Sequence, residues 1–198
     1  MDDILKPSDY IKNIFEFSLN ERIAELINLH SSIVTLFAGY TVLREGEKAY
    51  CCYLVLSGVV RGYYIDKHGN DISKCFSSEN EFFSSEGLRE GVESSFTIEC
   101  IEDCRCIKLP YELIRQLSIE DGRIKTFISQ LYSNEVYKVQ SRVKNLMLMS
   151  AEERYNDFCE HFPHLQNRIP LKHIASYINV RAASLSRIRK RMKKASQN

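Results

Sequence analysis

IPLKHIASYINVRAASLSRIRKRMKK, Ile169–Lys194, holds two short helical patterns around a tight turn. Apolar residues recur at Leu171, Ile174, Ala175 and Ile178 and, after Val180 in the turn, at Leu185, Ile188 and Met192, the spacing that two packed helices need. Ala175 is small where the helices must approach closely. Asn179 falls where the chain turns sharply, and Asn accepts a left-handed backbone better than most residues. The second helix carries Arg and Lys without a single acid, so the motif packs itself and leaves a basic face able to enter a DNA groove.

The charge of the whole chain conceals this segment. The 198 residues carry a formal net charge of +1, yet nine of the 27 Lys and Arg and none of the 26 Asp and Glu follow Glu160. The remainder is therefore about eight charges negative: an acidic body with a basic head. Local charge density decides attraction to phosphates, so binding to nucleic acid is expected to be steeply salt-dependent. The opening MDDILKPSDY is acidic and has no apolar core, and no apolar run approaches a membrane span, so a cytoplasmic chain without a membrane partner is expected. Seven cysteines, an odd number, then read as free thiols rather than a disulfide scaffold.

Outward from the C-terminal motif, the pattern divides the chain into three. From about Ile33 to Leu109, short runs rich in Val, Ile, Tyr, Phe and Cys are punctuated by Gly39, Gly46, Gly58 and the His68-Gly69-Asn70 turn. TVLREG, YLVLSG, VVRGYYID, DISKCF, FTIECIED and CRCIKL each predict a strand, and helical spacing from Tyr10 to Leu29 precedes them. After Pro110 the period becomes helical, and Ile124, Phe127, Ile128, Leu131 and Val139 mark one long helix whose apolar stripe calls for a second copy as its partner. Ser150 and Glu153 form a capping box that starts another helix, ending near Phe162-Pro163. The expected fold is α+β: an N-terminal double-stranded β-helix, a jelly-roll-like β-roll, over 1–118; a dimerisation helix and hinge over 119–148; and a helix-turn-helix domain over 149–198.

In this order the elements resemble the Crp/Fnr family of bacterial transcription regulators over nearly the full length. Ile174-Ala175-Ser176, Leu185-Ser186-Arg187 and Ile188-Arg189-Lys190 carry the resemblance best, and Glu45-Gly46 with Leu54–Arg61 is similar to the glycine-punctuated strand pair of a cyclic-nucleotide-binding-type roll. The resemblance implies a homodimer on double-stranded DNA, with two second helices entering successive major grooves of a near-palindromic operator about 34 Å apart. It places Arg181, Ala182, Ala183, Ser184, Ser186, Arg187, Lys190 and Lys194 at the DNA, and RNA polymerase as a further partner. Where relatives put a Glu, sometimes preceded by an Arg, to read bases, this chain has Ala182 and Ala183; Arg187 is left as the main candidate for a bidentate contact with guanine. A β-wing, frequent in the family after this helix, is not expected.

The roll departs from the family's cyclic AMP pattern. The Gly-Glu positions that hold the ribose align with Ser84-Ser85, and the Arg-Ser/Thr positions that clamp the phosphate align with Ser94-Ser95; Arg89 lies nearby at the wrong spacing. Without a fixed guanidinium, cyclic AMP is not expected to bind. Phe83, Ser84, Ser85, Ser94 and Ser95 are the candidate lining of a pocket for another, unknown small-molecule effector, unless Phe82, Phe83 and Phe96 pack it shut. No catalytic residue and no cofactor is read: the serines have no neighbouring His and no nucleophile elbow. The dispersed histidines, and cysteines on strands where neighbours face opposite ways, argue against a metal. Cys104 and Cys106 share a strand face, which keeps thiol-based redox sensing as an alternative; a cupin-like β-barrel without a DNA site and a protein-binding dimeric scaffold are the others.

Overall fold

A computed structural model of the chain describes residues 5–16, 18–85 and 91–195. Two helices, α1 (Pro7–Phe15) and α2 (Glu21–His30), open the chain where the sequence reading had one span; Glu16 turns left-handed after the first, and Asn20 caps the second by accepting from the Ile23 N–H at 2.8 Å. Eight strands follow: β1 (Ser32–Leu36), β2 (Thr41–Leu43), β3 (Cys51–Ser57), β4 (Val60–Ile65), β5 (Asp71–Ser77), β6 (Phe82–Phe83), β7 (Thr97–Cys100) and β8 (Cys104–Pro110). They form two four-stranded sheets, ordered β1-β8-β3-β6 and β2-β7-β4-β5, the roll expected from the spacing of the strands. All six predicted strands are present; β1 and the two-residue β6 are additional. Both find partners across the sheet, β1 against β8 and β6 against β3.

The chain divides into two compact units, residues 1–62 with 76–131, and residues 63–75 with 132–198. In the first, Val55, Val60, Phe83, Phe96, Ile98, Cys100, Cys104 and Cys106 form one buried cluster. A second cluster joins Ile23 and Ile27 of α2, Leu54 of β3, Ile107 and Leu109 of β8, Leu113 and Leu117 of α3 (Tyr111–Glu120), and Ile124. Each such side chain contributes roughly 1.5–3 kcal/mol by leaving water. Arg61 on β4 is 2% exposed and donates from Nε (3.0 Å) and a terminal nitrogen (2.6 Å) to Glu99 Oε1 on β7, so the buried charge meets a partly buried carboxylate. Gly58, at φ +105°, has no room for a side chain: a Cβ there would lie 2.5 Å from Cys104 Sγ and 2.7 Å from the Asp103 carbonyl.

The long helix α4 spans Gly122–Leu148, 27 residues or about 40 Å. Its beginning and end are differently covered. Ile124 lies in the α2–α3 cluster, Ile128 packs against it, and Phe127 meets Phe15 edge-on at 5.0 Å, whereas Val136, Val139, Val143 and Met147 are more than half exposed. The expectation that Ile124 serves pairing with a second copy is therefore corrected: its own protomer has already buried it. The open stripe lies further along, at residues that recur every three or four positions.

Candidate nucleic-acid interface

The second unit is built around α5 (Ala151–His161), α6 (Leu171–Tyr177) and α7 (Ala182–Ala195). Ser150 accepts from the Glu153 N–H at 3.3 Å, and the Glu153 carboxylate accepts from the Ser150 N–H at 2.7 Å, the capping box read in the sequence. These bonds hold Glu153 below the usual carboxylate range. Tyr155, Phe158, Leu165, Ile169, Ile174, Ala175, Ile178, Leu185 and Ile188 are buried, and the Phe158 ring meets Phe162 at a tilt (5.2 Å) and Tyr177 edge-on (5.7 Å). Arg154 ties the start of the unit to its turn, donating to the Met149 carbonyl at 2.6 Å and the Ile178 carbonyl at 2.8 Å.

The turn between α6 and α7 has the expected conformation. Asn179 sits at φ 55°, and the chain doubles back so that the Val180 N–H reaches the Ala175 carbonyl at 2.9 Å. Ala175 is 1% exposed at this crossing, where a larger side chain would push α7 away. With Leu185 and Ile188 turned inward, Arg181, Ala182, Ala183, Ser186, Arg187, Lys190 and Lys194 lie exposed and Ser184 partly so: all eight residues expected at the DNA lie in or just before one helix. No acid occurs in its first turn, and Lys193 and Lys194 fall in its last. Two neighbouring cations are engaged elsewhere. Arg191 is ion-paired with Glu152 on α5, and Arg189 approaches Tyr155, whose hydroxyl is pushed up to about 12 chiefly by burial. Leu171, Ser186, Arg189, Lys190 and Lys193 line a shallow basic groove between α6 and α7.

Residues 33–121 match the cyclic nucleotide-binding domain family. The fumarate and nitrate reduction regulatory protein of Shigella dysenteriae is 23% identical over 191 residues, covering 90% of this chain and 76% of that protein. That of Vibrio cholerae is 26% identical over 145 residues, 72% of this chain, and the match spans only 57% of its own length, as it does for the Salmonella typhi protein. Among solved structures, FixK2 from Bradyrhizobium japonicum superposes with a TM-score of 0.76 at 16% identity, covering 84% of this chain and 86% of that one. The chain is thus similar to these regulatory proteins over most of its length and has the fold of FixK2. The fold is also shared with CLP of Xanthomonas campestris, described as responsive to c-di-GMP, at a TM-score of 0.71 and 16% identity over 89% of this chain and 93% of that one.

In this chain the expected effector residues are partly committed to the fold. Phe83 is buried in the core and stacked on Tyr53 at 4.9 Å, and the buried Ser94 hydroxyl donates to the Phe96 carbonyl at 2.7 Å. Both are corrected from pocket lining to structural residues. Ser84 and Ser85 instead gather around the Tyr111 hydroxyl, Ser84 in a short hydrogen bond and Ser85 at 3.5 Å; Ser95 has partners of its own. Tyr111, which the sequence reading left out, is raised by burial against the opposing pull of these two serines. Arg89 lies outside the described residues.

Four of the seven thiols, Cys52, Cys100, Cys104 and Cys106, are buried where ordinary hydrophobes would be. Cys100, Cys104 and Cys106 share one buried cluster, and burial pushes Cys106 up to about 12 and Cys52 higher still. Among the described residues no three His, Cys, Asp or Glu side chains converge as a metal site, and no helix is long and apolar enough to cross a membrane.

Proposed function

We propose that this chain is a sequence-specific, DNA-binding transcription regulator that acts as a homodimer, without catalytic activity, in the cytoplasm. The observation that carries the reading is α7: Arg187 stands exposed between inward Leu185 and Ile188 on a helix free of acids, with Arg181, Ser184, Lys190 and Lys194 beside it. Arg187 is assigned to guanine O6 and N7, and Ala182 and Ala183 to apolar contact such as a thymine methyl. Arg181, Ser184, Ser186, Lys190 and Lys194 hold phosphates and set the register. The exposed stripe Val136, Val139, Val143 and Met147 supports pairing through the C-terminal half of α4, which would set two α7 helices on a near-palindromic operator. Leu131 and Phe127 belong to the edge of that pairing surface.

Control is assigned to a small molecule other than cyclic AMP, because serines occupy both positions at which a guanidinium and a carboxylate would hold that ligand. RNA polymerase contact is assigned to the family role and to no particular residue. Selection of bound DNA from a random library, repeated with Arg187→Ala, tests the reading. A loss of preference at one base position, equivalent to roughly 1–3 kcal/mol, is expected. Uniform weakening would reassign Arg187 to phosphate, and binding that ignores salt would remove the regulator reading altogether.

A further inference from the structure

Around α7, at about 100° per residue, Leu185 and Ile188 point to the buried side, and Ala183, Arg187, Lys190 and Lys194 fall within about 60° of one another on the opposite side. All four are exposed. This outermost face carries three cations and one methyl group. Ala182 lies about 100° from Ala183, on the flank of Ser186, and does not belong to it. The chemistry missing from the helix narrows what it can read. AASLSRIRKRMKKA contains no Asp, Glu, Asn or Gln. Cytosine is recognised by a carboxylate that accepts from its N4 amine, and adenine by an amide that pairs with N6 and N7 together; α7 has neither group. Its cations donate to acceptors, guanine O6 and N7 above all, and Ser184 and Ser186 on the flanks fit either kind of edge. Ala183 makes no side-chain hydrogen bond, so the feature of a base edge that it can recognise is the C5-methyl group of a pyrimidine. It precedes Arg187 by four residues, about 6 Å along the axis, which is no more than about two base-pair steps of ~3.4 Å for a helix laid along the groove.

Building on the DNA-binding reading above, we propose that Ala183 reads the C5-methyl group of a pyrimidine, thymine and 5-methylcytosine alike, within about two base pairs of the guanine held by Arg187. 5-Methylcytosine carries its methyl at the same ring position as thymine. A duplex methylated at that cytosine therefore presents α7 with the group it recognises, and the chain responds to a covalent mark on its operator as well as to the operator's sequence. Residues four apart on a helix are neighbours, so the methyl leaves water between the Ala183 Cβ and the aliphatic stem of Arg187. Burial of one such group is equivalent to about fourfold in affinity.

Synthetic duplexes and the full chain test the proposal. In the half-site selected from the random library, each base pair in turn is made with thymine or uracil, and with cytosine or 5-methylcytosine, pairs that differ by the methyl alone. At one position within about two base pairs of the guanine, uracil is expected to bind about fourfold more weakly than thymine, and 5-methylcytosine about fourfold more tightly than cytosine. The salt slope is expected to stay unchanged, since no phosphate contact is altered. Ala183→Gly is expected to bring both ratios below about twofold, whereas Ala182→Gly, which loosens the same turn of helix, keeps them. Equal binding by both members of each pair at every position overturns the methyl reading, and the wild-type chain alone decides that point if Ala183→Gly does not fold. Ratios that persist in a folded Ala183→Gly variant overturn the assignment to Ala183. Both results leave DNA binding standing; a wild-type chain that selects no DNA removes the regulator reading and this one together.

Discussion

Arg61 and Arg142 are two guanidiniums withdrawn from water in opposite ways. Arg61, on β4, is sealed into the roll with Glu99 at 2.6 Å. Arg142, on α4, is half-buried and receives only carbonyl dipoles and the face of Tyr177, with one donor left over. The first is a strut: losing the Glu99 carboxylate removes a charged acceptor that two nitrogens of the buried Arg61 share. The second is a fastener, because its partners are backbone groups that water can serve equally well once the segment opens.

Glu99→Leu should have the largest effect, lowering stability by about 3–5 kcal/mol, because it removes the carboxylate to which two nitrogens of the buried Arg61 donate. Thermal and denaturant unfolding measure this, and a change below about 1 kcal/mol would mean that Arg61 is already solvated. Arg142→Leu should cost about 2 kcal/mol, expressed as local opening of residues 71–75 and 174–180 and little loss of the roll. If both variants melt the roll equally, the distinction between strut and fastener fails. Ser150→Ala should remove about 1 kcal/mol from the start of α5, seen in exchange of its first turn. Acid should act on the same cap: the carboxyl of Glu153 is depressed in the folded chain, so its contribution is present above the unfolded value and is lost as pH falls through the folded one. Least of all, Glu152→Ala should change stability by no more than about 1 kcal/mol, since its pair with Arg191 is exposed on both sides.

What could be read from the sequence was local. The packing of Ile174, Ala175, Ile178, Leu185 and Ile188, the left-handed Asn179 and the Ser150–Glu153 cap depend on residues within a few turns of one another, where spacing reports contact directly. The contact between Ser73 and Ser176 was not legible for the opposite reason: the two lie 103 residues apart, and DISKCF reads as one more strand of the roll. Nor did the stripe on α4 announce where its cover changes, because Ile124 and Val139 obey the same period although α2 and α3 bury only the first. Tyr111 escaped notice among strand-end aromatics, since nothing in its neighbourhood in sequence points to Ser84.

The segregation of charge has a consequence for handling the molecule as well as for its encounters. With a net charge of only +1, the chain should focus near neutrality, yet about nine positive charges reside in its last 38 residues. Such a chain carries its two signs of charge in separate stretches of sequence. At one pH and low ionic strength it should be retained by a cation exchanger through α7 and by an anion exchanger through the acidic remainder, and near a polyanion it should rotate head-first before any base is touched.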